Sequence, residues 1–300
     1  MGVRLYSEPQ LHQPDMIVGW PGIGNIGLIT VDALARQLGA EELGHIEPWD
    51  FFYPSKVIIR GGVLEDMEFP DSRFYFARQE KRDLLFFLGE EQPSASGRMY
   101  AEGNDAYAIA NLVLDVAEKF GCRRVYTSGA AVSITHHEVR PRVWAVATTR
   151  ALLTEIRGCM NTVLMSEMED RGDFGNITGL NGLLVGVARK RGFEGACLMG
   201  EIPDYLSRVP FPYPRASQSV LQVLGAVLDV PLDPGFLDDR CKQMDEVIDK
   251  VFGQFPAEVQ EKINRRRAGL QAGQPGITDE DEAWLKAHID DLFRSGEQGQ

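Results

Sequence analysis

The sequence predicts an α/β protein with a mixed central sheet flanked by helices and a C-terminal helical extension. Three observations carry that expectation. A glycine-rich turn joins an apolar run, Met16 to Trp20, to a helical pattern. Between positions 43 and 89 short β-like runs follow one another with no helix-length pattern among them, and from 104 to 228 helical and β-like segments alternate before the strand signal ends. The α/β core is placed at residues 1–230 and the helical extension at residues 231–300.

The elements follow in order. Met16 to Trp20 reads as a strand, and Ile26 to Leu38 as a helix stopped by Gly39. Leu43 to Ile46 is a second strand. Three β-like runs come next, Lys56 to Leu64, Arg73 to Gln79 and Leu84 to Gly89, with turn formers such as Glu65 to Asp71 between them, so an antiparallel meander is expected. Asn104 to Phe120 places Ile109, Leu112, Val113, Val116 and Phe120 on one helical face, and Arg124 to Ser128 is the strand after it. Val143 to Thr148 and Thr162 to Ser166 read as strands around a short helix at Leu152 to Arg157. Asn181 to Arg191 is helical, Ala196 to Gly200 a strand and Ser217 to Leu228 a helix. Beyond Pro231, Met244, Val247, Ile248, Val251, Phe252 and Phe255 recur at helical spacing, which makes an amphipathic helix in need of a partner face. After a loop over Ala268 to Gly276, Thr278 with Asp281 three residues later signals the start of a last helix.

Composition excludes several function classes. With 44% hydrophobic residues in 300, the chain has ample material for a core. No stretch approaches the ~18 consecutive apolar residues of a membrane span, and Met1 to Pro14 carries Arg4, Glu8 and His12 in place of a basic head before an apolar run. Neither a signal peptide nor a membrane partner is expected, and the predicted location is cytoplasmic. The formal charge of −13 opposes a phosphate backbone over most of the surface, so no nucleic-acid partner is expected. Cys122, Cys159, Cys197 and Cys241 are too dispersed for a metal knuckle and too few for a disulfide scaffold, and read as reduced, mostly buried thiols.

The sharpest motif is Gly19-Trp20-Pro21-Gly22-Ile23-Gly24-Asn25-Ile26-Gly27, in which Gly22, Gly24 and Gly27 match G-x-G-x-x-G between a strand and a helix. Glycines permit positive φ and close backbone approach, and the helix that follows aims free N–H groups and a partial positive charge at the turn. An anion or a carbonyl suits such a site. Glu47, at the end of the second strand, stands where a dinucleotide fold keeps its ribose-binding carboxylate, but the chain then enters the β-rich region and lacks the second crossover that fold requires. The alternative reading is that the glycines only let the helix pack tightly on the strand.

Other constellations read more plainly. His136, His137 and Glu138 are adjacent on an extended segment, where alternate side chains point to opposite faces and cannot readily hold one ion, so no metal is expected and an exposed or pocket-edge loop is. Ser128-Gly129 follows a strand without any G-x-S-x-G elbow, and is expected to line the same crevice as Gly22 to Gly27 at the carboxyl ends of the strands. Glu167, Glu169 and Asp170 read as a solvated acidic loop, and Arg189 to Arg191 as a basic helix end complementing the dipole.

The loop Gly19 to Gly27, the segment Phe174-Gly175-Asn176-Ile177-Thr178-Gly179-Leu180-Asn181-Gly182, and Leu198-Met199-Gly200-Glu201-Ile202-Pro203-Asp204-Tyr205, with Pro214-Arg215-Ala216-Ser217 opening the next helix, resemble the proteasome assembly chaperone family over roughly Met16 to Val230. The resemblance implies a fold similar to nucleoside phosphorylases and related hydrolases, homo-oligomers, and in archaeal and eukaryotic relatives a role in proteasome assembly or docking. Two departures stand out. The chain ends Ser295-Gly296-Glu297-Gln298-Gly299-Gln300 where docking relatives carry a hydrophobic-Tyr-X tail, and Trp20 to Gly27 holds no Arg or Lys for a phosphate, leaving Arg60 or Arg78 to supply that charge. No ATP-grasp pattern of paired lysines and metal-binding carboxylates is found.

The expected function is therefore a non-enzymatic, assembly-chaperone-like or protein-binding homo-oligomer without cofactor, metal or catalytic residues. The alternative is a small-molecule enzyme of nucleoside phosphorylase or hydrolase type acting at the glycine-rich loop. The expected ligand-binding residues in either case are Gly22, Gly24, Asn25, Gly27, Ser128, Gly129, Asn181 and Glu201.

Overall fold

The computed structural model describes residues 2–93, 103–165, 176–272 and 278–297. A short strand, β1 (Val3–Leu5), precedes β2 (Asp15–Gly19), whose five residues are all buried. Helix α1 (Ile26–Gln37) leads to β3 (Glu41–Ile46), β4 (Lys56–Arg60), β5 (Val63–Glu68), β6 (Ser72–Ala77) and β7 (Leu84–Gly89). Then come α2 (Gly103–Lys119), β8 (Arg124–Ser133), β9 (Val143–Ala147), α3 (Arg150–Arg157), β10 (Thr162–Leu164), α4 (Gly179–Lys190), β11 (Glu194–Pro203) and α5 (Pro214–Leu228). Three more helices close the described chain, α6 (Asp238–Gly253), α7 (Ala257–Ala272) and α8 (Asp279–Glu297).

Nine strands form one mixed sheet in the order β1-β3-β6-β7-β2-β8-β11-β9-β10. At its centre β7, β2, β8 and β11 run parallel. On one flank β7, β6 and β3 pair antiparallel, and on the other β9 pairs antiparallel with β11. The central strands are covered on both faces, and the side-chain alternation shows it: Ile17, Leu84, Phe86 and Tyr126 join the core under α1, α3 and α5, whereas Met16, Val18, Leu85, Phe87 and Val125 join the core under α2 and α4. Burying each such side chain is worth ~1.5–3 kcal/mol, so the strands are fixed by the two helical layers on either side.

Several expectations change. The run Lys56 to Leu64 does not enter the meander. Gly61 and Gly62, with φ of 57° and 81°, form a tight turn at its end, so β4 folds back on β5 as a separate two-stranded hairpin and the sheet's antiparallel part is β3, β6 and β7. Two consecutive glycines at positive φ are the hairpin signal, and they outweigh the turn formers downstream. Strands β8 and β11 each run several residues beyond their expected ends, because they pair along ten residues from Arg124↔Glu194 to Ser133↔Pro203. Helix α7 occupies a stretch with no strong apolar periodicity and was not expected.

The amphipathic helix α6 finds its partner face within the chain. Ile248 is 1% exposed, and Phe252 stacks near His137 and Tyr205 with centroid separations of 5.0 and 6.0 Å. Val259 and Ile263 of α7 and Leu285 and Ile289 of α8 join the same hydrophobic cluster as Leu221 and Leu224 of α5. Thr278 caps α8 as expected, its hydroxyl accepting the Asp281 N–H at 3.2 Å. Arg266, 2% exposed, ties the layers together by bonding Asp204, which follows β11, at 2.7 Å and Glu282 of α8 at 2.8 Å.

Candidate functional site

The glycine-rich turn leaves the C-terminal end of β2 and immediately buries Trp20. A 3-10 turn over Ile23–Asn25 follows, with Gly24 at φ 62° and Asn25 at φ 49°, and the Asn25 N–H closes it on the Gly22 carbonyl at 2.8 Å. Gly24 and Gly27 each have a packing reason. A Cβ on Gly24 would stand 2.9 Å from that of Tyr213, and one on Gly27 would overlap the Ser128 carbonyl oxygen. Helix α1 can therefore lie against β8 only with glycine at 27.

The same close approach makes a cleft at this end of the sheet. Its floor is a row of residues in register across three strands, Gly129 of β8, Met199 of β11 and Trp144 of β9. Gly22, Ile23 and Gly27 form one wall, and Thr178 and Asn181 from the start of α4 form the other; the enclosed space is about 200 Å³. Gly129 leaves room for the Asn181 amide, whose Nδ2 would lie 3.2 Å from a Cβ there. Thr127 fixes the backbone behind it, its hydroxyl donating to the Asn181 carbonyl at 3.1 Å. Gln92 clips the two walls to each other, accepting the Leu180 N–H at 3.3 Å and donating to the Pro21 carbonyl at 2.6 Å.

Gly22, Gly27, Gly129 and Asn181 are thus brought to one cleft. Gly24 and Asn25 face an adjoining depression bounded by Glu90, Ser207, Arg208 and Phe211. Ser128 is fully buried behind Gly27, with its hydroxyl turned into the wall and unpartnered. Glu201 stands apart from the lining: it is 1% exposed and accepts from Arg142 Nη2 at 2.8 Å, the Arg142 backbone N–H at 3.1 Å and the Ser133 hydroxyl at 2.6 Å. Burial pushes the Glu201 carboxyl up, but those donors outweigh it and hold it below the usual carboxylate range. Arg60 pairs with Glu65 on the hairpin and Arg78 donates to the Gln10 carbonyl, so neither supplies charge to the cleft.

None of the described residues lining the cleft is charged. Cys197 lies in its floor, where burial pushes the thiol up to about 11 and keeps it protonated at neutral pH. Sequence analysis does not single out Gln92, Trp144 or Met199 for the cleft, since strand register brings Trp144 and Met199 beside Gly129 and side-chain hydrogen bonds alone tie Gln92 to the walls. Glu47 follows β3, which is separated from β2 by β6 and β7, so it does not face the glycine-rich turn as a ribose-binding carboxylate would.

The paired histidines also differ from expectation. His136 and His137 are 1% and 5% exposed, and their rings stack at 4.2 Å because the segment turns here instead of running extended. His137 shares a 2.7 Å hydrogen bond with the Tyr205 hydroxyl and lies 3.5 Å from Asp249 of α6. Burial pushes both imidazoles down, His136 to about 4, so the pair is neutral at pH 7. Among the described residues no group of three or more His, Cys, Asp or Glu is arranged to hold a metal ion. Glu167, Glu169 and Asp170, with Phe174 and Gly175, lie outside the described residues.

Comparison with known proteins agrees with this architecture. An uncharacterised protein of Methanocaldococcus jannaschii is 27% identical over 239 residues, spanning 79% of this chain and 82% of that protein. The structure of Pyrococcus furiosus PbaB, described as an archaeal proteasome activator, superposes with a TM-score of 0.68 at 27% identity, covering 83% of this chain and 98% of that one. A Corynebacterium glutamicum protein of unknown function shares the fold over 98% of both chains, with a TM-score of 0.62 at 16% identity. The model of the PAC2 family matches residues 16–252, and with the motifs between Gly19 and Ser217 it establishes that this chain belongs to the PAC2 family.

Proposed function

We propose that this chain is an assembly-chaperone-like subunit that binds protein and works as a homo-oligomer. The observation that carries the reading is the β4–β5 hairpin, which lies outside the main sheet. Its register pairs Val57 with Met67 and Ile59 with Leu64, and the bulge between the pairs keeps all four side chains on one face. Those residues are 49%, 37%, 64% and 62% exposed. Tyr53, 94% exposed, and Trp49, 62% exposed, precede the hairpin and extend the apolar surface. A lone two-stranded hairpin is marginal in water and gains stability when its apolar face is covered.

A second copy of the chain suits that face. Most of the hairpin's charges are paired within it, Lys56 with Glu68 at 3.3 Å and Arg60 with Glu65 at 3.3 Å, so the apolar stripe meets its own copy with little added repulsion for a chain of charge −13. Similarity to PbaB supports a role beside a proteasome or a comparable assembly. Light scattering of the full chain at micromolar concentration is expected to give a mass above that of one chain, and Ile59→Lys with Leu64→Lys is expected to lower it while leaving the thermal transition of the core in place. A wild-type chain that stays monomeric at ~100 μM counts against the oligomer. Affinity capture from native cells then tests whether a large assembly accompanies it, and a proteasome component is the expected companion.

A further inference from the structure

Eight buried side-chain polar atoms among the described residues have no hydrogen-bond partner, and three of them belong to residues lining the cleft. They are Trp20 Nε1, Trp144 Nε1 and Asn181 Oδ1. An unpaired buried polar group costs ~1–3 kcal/mol, so such groups are normally matched by protein, water or ligand. Trp144 is 6% exposed and its ring lies in the floor beside Met199, while Asn181 reaches in from the opposite wall. The first turns of both α1 and α4 open on the same space, and neither N-cap residue, Asn25 or Thr178, caps its helix with its side chain, while Gln92 takes the Leu180 N–H of α4.

We infer that the cleft binds a small uncharged molecule carrying an amide or lactam on a planar apolar body. The unpartnered donor of Trp144 calls for a carbonyl oxygen. The unpartnered acceptor Asn181 Oδ1 calls for an N–H, and one amide group supplies both. The apolar part of the lining includes Ile23, Ala130, Val132 and Met199, which takes an apolar ring, and Gln92, Asn176 and Thr178 add uncharged polar groups. With no charged residue among the described lining, a phosphate would lose its hydration without gaining a cation there, so an uncharged ligand is favoured over a phosphate ester. At about 200 Å³ the space far exceeds the ~30 Å³ share of one water, so it takes a whole ring with its amide.

This site does not depend on the hairpin, and its test is kept separate from that of the oligomer. Benzamide, benzoate and inorganic phosphate are added to the full chain at millimolar concentration, with melting temperature and tryptophan emission as readouts. Benzamide is expected to raise the melting temperature and alter the emission, whereas benzoate and phosphate do neither. Asn181→Leu and Trp144→Phe are expected to weaken benzamide binding about tenfold each while folding normally, because the polar atoms they remove have no partner to lose. The Ile59→Lys variant is expected to bind benzamide like the parent chain. No response to benzamide, a preference for benzoate or phosphate, or an undiminished response in both cleft variants overturns the proposal.

Discussion

Gly27 touches the Ser128 carbonyl, and Gly22, a few residues earlier in the same turn, touches nothing. The φ of Gly22 is −174°, extended backbone open to any residue. Gly27→Ala is therefore expected to destabilise the chain by about 1–3 kcal/mol through forced separation of α1 from β8, and Gly22→Ala to stay within about 0.5 kcal/mol, both read from urea unfolding. Equal losses at the two positions would mean that the turn is held by something other than packing. The buried histidines give a second residue-scale expectation. His136 faces His137, Glu138, Tyr205 and Phe252, with Arg266 and Arg267 adding positive charge and Asp245 and Asp249 drawing His137 the other way. Its folded value near 4 lies below the ~6.5 of an unfolded imidazole. Between those values the unfolded chain binds more protons, so stability is full above pH ~6.5 and falls as pH drops toward 4. From pH 7 to pH 5 the loss from His136 is at most about 2 kcal/mol, and His136→Phe is expected to flatten that part of the stability profile. A slope unchanged by the substitution would assign the pH dependence to other groups. Of the residues around the cleft, the sequence made the glycines visible because their spacing is local, whereas Trp144, Met199 and Gln92 are joined only by strand register and a loop-to-loop bond.

Helices α6 to α8 are held to the rest of the molecule by side chains of different kinds, and Arg266 is the most buried of the charged ones. It bonds Asp204 and Glu282, which are 27% and 22% exposed, and those bonds outweigh the effect of burial and hold its guanidinium above its ordinary value. Arg215 makes a paired contact with Asp245 at 2.5 Å for each arm, and Lys262 bonds Asp281. Replacing Arg266 by Met would leave two half-buried carboxylates facing each other without their cation. A loss of about 2–3 kcal/mol is expected, below the ~3–5 kcal/mol of a fully buried pair because water reaches both acids. Hydrogen exchange is expected to rise first in α7 and α8, and uniform exchange across the sheet would show that the bridge serves the whole fold. The same elements show what a sequence can carry. Periodicity exposes α6 because Ile248 and Phe252 face inward on one stripe, but α7 contributes Val259 and Ile263 among the charges of Glu258, Glu261, Lys262 and Arg265 to Arg267, too few apolar residues to mark a face. The hairpin was written in Gly61-Gly62, yet its separation from the sheet depends on which strands β6 and β7 pair with, a choice made by long-range packing of Phe74, Phe76, Phe86 and Phe87.

At the scale of the molecule the helices after Pro231 cover a face that the sheet and α5 leave apolar. Leu237, Cys241, Ile248, Val259, Ile263, Leu285 and Ile289 share one cluster with Val220, Leu221, Leu224 and Leu228 of α5 and with Ile17 and Tyr126 of the central strands. The family match ends at residue 252, inside α6, whereas the Corynebacterium protein shares the fold over 98% of this chain. If the extension merely rested on a finished core, a chain ending at Val230 would unfold at the same temperature as the full one. The shared cluster argues otherwise: removing α6 to α8 returns the outer face of α5, together with Tyr205 and the stacked histidines, to water. At ~25 cal/mol per Å² of apolar surface, a few hundred Å² exposed by truncation amounts to several kcal/mol, a large part of the ~5–15 kcal/mol that holds a domain folded. The 1–230 chain is accordingly expected to melt well below the full chain, to bind a hydrophobic dye and to aggregate on storage. A truncated chain that melts with the full one and stays monomeric without binding dye would show that the extension is a separate unit, free to serve partners on its own.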